Sequence, residues 1–221
     1  MPVGTDATVT TSVDRIAFMD IPLGVERSLH DHPAVRSIKL IGSRARGDST
    51  PFSDWDFEIA TNDFPSLADA MPSMLGRFRP LAQQWDRLSV HKCYMLVLEG
   101  PEKVDFLFDE PHTAEPPWTV NKQTLQAIDD HFWDWILWLL SKEAADREEI
   151  VSVELGKMFD HLLQPMGVSE SPIDLSAAVN TYVAARRTQE RRHSVLVTKT
   201  LEEEVRKALT KWASALHLRK P

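Results

Sequence analysis

Hydrophobic and polar positions along the chain change their rhythm near its middle. In the first half, apolar residues recur at alternate positions or in short runs, as strands require. VRSIKLIGS (35–43) reads as a short buried strand ending in a turn, and SDWDFEIAT (53–61) as a second strand with side chains on two alternating faces. LSVHKCYMLVL (88–98), the turn EGPE (99–102) and KVDFLFD (103–109) predict a β-hairpin. Helical spacing marks residues 15–29, through Ile16, Phe18, Met19, Leu23 and Val25, although Pro22 and Gly24 interrupt it. A short amphipathic helix is expected over 66–79, and residues 1–12 are expected to fray.

PHTAEPPWT (111–119) ends this texture with a proline-bearing connection. Beyond it, apolar residues at helical spacing predict helices over 123–142, 145–164, 174–190 and 194–217. Pro165 and Gly167 separate the second from the third, and Ser171-Pro172 is a start signal for the third. The expected fold class is α+β. Residues 1–115 would form a mixed β-sheet flanked by helices, and residues 116–221 an all-helical bundle closing the other side of a cleft.

Composition narrows the setting. A chain of 221 residues suits one large domain or two small ones, and 43% hydrophobic with 26% charged residues is ordinary for a globular protein. No run approaches the roughly 18–20 apolar residues of a membrane span. The first residues lack the basic and apolar segments of a secretion signal, so a cytoplasmic location without a membrane partner is expected. Cys93 is the single cysteine, which excludes an intrachain disulfide and a cysteine-built zinc site.

Charge is uneven. Residues 1–120 carry 11 Lys and Arg against 18 Asp and Glu, whereas 121–221 carry 14 against 15, within a net charge of −8. A face for polyanions normally shows a basic excess, so a nucleic-acid partner is not expected. An acidic excess suits a cationic small molecule.

The chemistry concentrates in GSRARGDSTPFSDWDFEIA (42–60). Asp54 and Asp56, two apart on a strand, project from one face while Trp55 and Phe57 enter the core. Carboxylates side by side repel unless a cation lies between them, and Mg²⁺, which takes hard oxygen ligands, is the natural one. Asp105 is a lone carboxylate amid an apolar strand, unfavourable there unless something satisfies it. Beside 53–61 it would complete a three-carboxylate cluster able to hold two Mg²⁺ ions. Gly42 lets backbone approach a phosphate, Ser43 can donate to it, and Arg44 and Arg46 can neutralise it.

The order G-S-R-A-R-G, a short spacer, S-D-W-D and a later lone Asp resembles the polymerase-β-type nucleotidyltransferase superfamily, over about residues 35–109. The resemblance implies that Gly42 and Ser43 grip a triphosphate and that Asp54, Asp56 and Asp105 bind metal. Asp105 would also accept the proton of the attacking hydroxyl. HFWDWILWLLSKEAADREEIVSVELGKMFDHLL (131–163) is similar to the helical part of bacterial aminoglycoside nucleotidyltransferases, which makes Lys142 a candidate triphosphate contact. The implied enzyme is a Mg²⁺-dependent transferase moving AMP from ATP to a hydroxyl of a small molecule, such as an amino sugar, as in antibiotic resistance. A protein or RNA acceptor and a silent nucleotide-binding protein are the alternatives. Whether the chain is a monomer or a homodimer stays open, and the cluster Trp133, Trp135 and Trp138 serves either packing or stacking on a ligand. The Arg187–His193 spacing, which matches a ribonuclease motif in outline, is set aside as a basic helical stretch.

Overall fold

A computed structural model describes residues 20–219, with side chains through residue 215. The expected frayed segment 1–12 and the start of the first helix lie outside the described residues. The fold is α+β. Helix α1 (Ile21–Leu29) begins at Asp20, whose carboxylate accepts from the Leu23 N–H at 3.2 Å. Pro22 falls in the first turn, where a missing N–H costs nothing, so it starts the helix instead of interrupting it.

Strands β1 (Val35–Ile41), β2 (Trp55–Thr61), β3 (Ala82–Trp85), β4 (His91–Leu98) and β5 (Glu102–Pro111) form one sheet in the order β1-β2-β5-β4-β3. The β2–β5 pair is parallel and the other three pairs are antiparallel. The short strand β3 carries no legible pattern: AQQW has two glutamines in its middle, and pairing with β4 along the sheet edge makes it a strand. Helix α2 (Gly42–Arg46) replaces the expected turn after β1 with a single helical turn, ended by Gly47 in the left-handed region. Helix α3 (Phe64–Leu75), capped by Asp63, covers the sheet with α1.

Alternation along the strands sorts the two faces. Phe57, Ile59, Tyr94, Leu96, Val104, Phe106 and Phe108 point toward α1 and α3 and form one buried core. The other face carries Asp56, Asp105 and Val97 and meets the helices of the second half. These are α4 (Leu125–Ala144), α5 (Glu148–Met158), which runs on as a π-helical turn (Phe159–Leu163), α6 (Leu175–His193) and α7 (Thr200–Arg219). Trp133 and Trp135 are buried inside this second core, with Trp133 edge-on to Phe132 and Tyr182.

The bundle also buries charge. Arg186 of α6 donates to Asp129 of α4 at 3.0 Å and forms an ion pair with Glu202 of α7 at 2.6 Å, while the Tyr182 hydroxyl donates to Asp129 at 2.7 Å. One guanidinium thus ties three helices. Replacing it strands a buried carboxylate, the costly way to break an ion pair. Arg186→Met should therefore destabilise the chain by about 3–5 kcal/mol in urea unfolding. A loss under about 1 kcal/mol would mean that Asp129 is compensated by other groups.

Candidate functional site

The parallel pairing of β2 and β5 sets Asp56 directly opposite Asp105. Asp54 lies two residues before Asp56, at the mouth of β2, so all three carboxylates lie on the helix-bundle side of the sheet. One oxygen from each falls within 4.8 Å of the others, and among the described residues this is a group able to hold a metal ion. At that separation each pair of charges repels by at least about 3 kcal/mol at an effective dielectric near 20.

Gly42 forms the floor. Its φ is +72°, and a Cβ built there would lie 2.1 Å from Asp56 Oδ2, inside the carboxylate itself. The Asp56 side chain therefore rests where any other residue would put its first side-chain atom. Ser43 follows in α2. Arg44 is committed elsewhere: its guanidinium donates to the Ser53 carbonyl at 2.6 and 3.0 Å and to the Asp54 carbonyl at 3.1 Å. It also pairs with Glu102 at 3.3 Å and stacks over Trp55, so it fastens the segment leading into β2 to the β4–β5 turn. Arg46 is exposed and pairs with Asp48.

Two lysines enter from either side. Lys142, near the end of α4, brings Nζ to 3.6 Å from Asp54 Oδ2 while lying over the Trp138 ring. Lys103, unremarked in the sequence, lies on the same face of β5 as Asp105 and donates to Asp105 Oδ1 at 2.5 Å. It also donates to Oδ1 of Asp134, a buried residue of α4, at 2.8 Å. Period-two spacing places Lys103 beside Asp105, and an aspartate between Trp133 and Trp135 is as anomalous as Asp105 in its strand. Neither signal discloses that the two meet, because that depends on how α4 lies on the sheet.

Burial and mutual repulsion show in the acidities. Asp54 is pushed up to about 6, chiefly by desolvation, with Lys142 and Lys103 opposing and Asp105 and Asp56 adding to the rise. Asp56 is raised by desolvation and then by Asp105. Asp134 is pushed up to about 7 by burial, with Lys103 opposing. Cys93, buried on the same sheet, has its thiol pushed up by desolvation and acts as a small apolar residue.

The donor set fits a small divalent cation. Asp54 Oδ1 is buried and has no hydrogen-bond partner among the described residues, an uncompensated acceptor facing two further carboxylates. Three hard oxygens suit Mg²⁺, which commonly keeps waters in its remaining positions. Beside this site, a cavity of about 150 Å³ is lined by Arg44, Lys103, Lys207 and Lys211 as well as Glu102 and Glu204. It is smaller than the roughly 300–1,000 Å³ of small-molecule pockets, so a large ligand would extend beyond it onto the open surface.

No family model and no curated protein matches the chain. Among solved structures it is similar to an aminoglycoside 6-adenyltransferase from Bacillus subtilis, at 11% identity over 90% of this chain and 97% of that one, with a TM-score of 0.28. A likeness this loose carries no argument about the site or its chemistry.

Two outcomes follow from the geometry. Gly42→Ala should weaken Mn²⁺ binding strongly, because the new methyl displaces the Asp56 carboxylate, and should cost about 1–2 kcal/mol from the left-handed backbone; isothermal titration and a thermal melt read the two effects. The second outcome concerns pH. Asp54 and Asp134 hold protons in the folded chain at pH values where an unfolded aspartate, near 3.8, has lost them. Without a cation, stability should therefore be highest below about pH 4 as far as these groups decide it, and fall as pH rises through 6 to 7. Added Mg²⁺ should reverse the trend, raising the melting temperature more at pH 8 than at pH 5, since only ionised carboxylates bind it. A Mg²⁺ shift that is equal at both pH values would exclude the aspartates as ligands.

Proposed function

We propose that this chain is a metal-dependent nucleotidyltransferase. The observation that carries the reading is the seat of Asp56: a glycine with positive φ yields its side-chain space to a carboxylate that stands opposite Asp105 and beside the unpaired Asp54 Oδ1. A core does not ask for such an arrangement, whereas cation-assisted phosphoryl chemistry does. The polymerase-β-type pattern of G-S, D-W-D and a later Asp supports the same reading from the sequence. Under it, residues 1–115 are the catalytic part and 116–221 the part that completes the cleft.

Asp54, Asp56 and Asp105 would hold Mg²⁺, which when bound neutralises phosphate charge and polarises the phosphoryl group. Ser43 and the backbone after Gly42 would orient the leaving pyrophosphate, with Lys142 a further contact once it leaves Asp54. An acceptor hydroxyl forms a bond to the α-phosphorus of an NTP, taken to be ATP, as the bond to pyrophosphate breaks. The hydroxyl proton passes to the Asp105 carboxylate, which Lys103 holds in place through Oδ1. Positioning and charge neutralisation supply most of the rate.

The acceptor is proposed to be a small molecule carrying a hydroxyl. An amino sugar is one member of that class, but the cavity offers its ammonium groups little: Glu102 is paired with Arg44 and Glu204 with Lys207. Among the described lining residues Lys211 is the cation with no ion pair, which leaves one contact for phosphate.

The test is transfer of label from α-labelled ATP, with Mg²⁺, to a panel of amino sugars, neutral sugars and nucleosides, with pyrophosphate release followed in parallel. Asp56→Asn should reduce transfer by at least about 10³-fold, as loss of a metal ligand removes about 4 kcal/mol of transition-state stabilisation, with the melting temperature unchanged or raised by relief of repulsion. Full activity in Asp56→Asn would sink the metal assignment. Label that migrates with a polypeptide or an RNA would move the acceptor to that class.

A further inference from the structure

The two lysines at the carboxylates are held very differently. Lys142 has a single ion pair at 3.6 Å, is about a quarter exposed and rests on Trp138, so it can swing aside. Lys103 is 6% exposed and is clamped between Asp105 at 2.5 Å and Asp134 at 2.8 Å. Moving its ammonium away would leave two buried carboxylates unpaired, which is strongly unfavourable.

A two-ion phosphoryl-transfer site places its ions about 3.5–4 Å apart and needs carboxylates that reach both. Asp105 is the residue that would serve the second ion, and its Oδ1 is already taken by a fixed cation. The carboxylate inventory points the same way. Asp134, which could have joined Asp105 on an ion, holds Lys103 instead and is bound through α4 to the bundle core. A dication set against an immobile ammonium at the same oxygen would gain a like charge in place of a ligand.

We propose that Lys103, positioned by Asp134, is a built-in cation that takes the place of a second metal ion, so that the protein alone holds one divalent ion, on Asp54, Asp56 and one oxygen of Asp105. This rests on the reading of the three aspartates as a metal site, and it replaces the expected pair of Mg²⁺ ions with one ion and one lysine. Lys142 is the exchangeable partner: it neutralises Asp54 until an ion arrives. Lys103 stays. Its role is positioning and charge, exerted through Asp105.

The experiment is a titration of Mn²⁺ into the full chain, with and without α,β-methylene-ATP, followed by electron paramagnetic resonance after removal of free ligand. An isolated ion and a spin-coupled pair give different spectra, a signature that fold stability alone does not move. The wild-type chain should give the isolated-ion spectrum at one ion per chain. Lys103→Gln should convert it to the coupled pair at two per chain. Because Lys103→Gln leaves Asp134 buried without its partner, the double change Lys103→Met with Asp134→Leu, which removes both charges and fills the space with apolar groups, provides a second route to a folded variant. Circular dichroism establishes that each is folded. A coupled pair in the wild type, or one ion in a folded variant lacking Lys103, would overturn the role of Lys103 while leaving the metal site in place. No bound Mn²⁺ in the wild type would overturn the metal site and this inference together.

Discussion

Four aspartates, Asp54, Asp56, Asp105 and Asp134, are drawn together on one face of the sheet, and their mutual repulsion is the constraint around which the structure is arranged. Left alone, such a set would protonate or push the strands apart. The chain meets the problem in three ways: Lys103 bridges two of the carboxylates, Lys142 approaches a third, and the rest of the imbalance stays as the weakened acidity of Asp54 and Asp56. Under the proposed reading, that remainder is what a bound cation would relieve. A perfectly neutralised cluster would be stable and inert.

The same constraint explains why the two halves depend on each other. Asp134 and Lys142 both come from α4, eight residues and about 12 Å apart along it. One reaches toward β5 and the other toward β2, so a single helix supplies both the second partner of Lys103 and the lysine beside Asp54. Arg44 does corresponding work within the first half, joining the mouth of β2 to the β4–β5 turn through Ser53 and Glu102. Farther out, Arg186 ties α4 to α6 and α7, so the helix that carries the site residues is itself fixed by buried charge.

What was legible in the sequence was what depends on local spacing. Asp54 and Asp56 share a face because strands alternate, and the hairpin of β4 and β5 follows from its turn, whereas the triad needs the non-local pairing of β5 with β2, which the sequence left as a condition. The second half read well for the same reason: helix periodicity is local, and α4, α5 with its π-helical turn, and α6 lie within about three residues of their expected spans, while α7 starts at Thr200, six residues after its expected start. Three features escaped. Strand β3 owes its existence to the edge of β4 and not to its own glutamine-bearing sequence. Arg44 looked like a phosphate ligand because a basic residue after a Gly-Ser turn usually faces solvent or substrate, yet here the carbonyls of Ser53 and Asp54 fold back onto it. Lys103 reads as an ordinary lysine after a turn, and only the docking of α4 puts Asp134 against it.

The net charge of −8 suits a cationic acceptor, but what a site admits depends on the charge around it. Part of the acidic excess of the first half is concentrated in Asp54, Asp56 and Asp105, and these face a lysine or one another, not an open surface. The cavity next to them is lined by four basic side chains and two acidic ones, and both acidic ones are already paired. The same pairs neutralise Arg44 and Lys207, and Lys103 lies between two aspartates, so Lys211 alone among the four basic side chains has no ion pair among the described residues. Local charge, not the total, governs what such a wall admits, and here it is close to balanced.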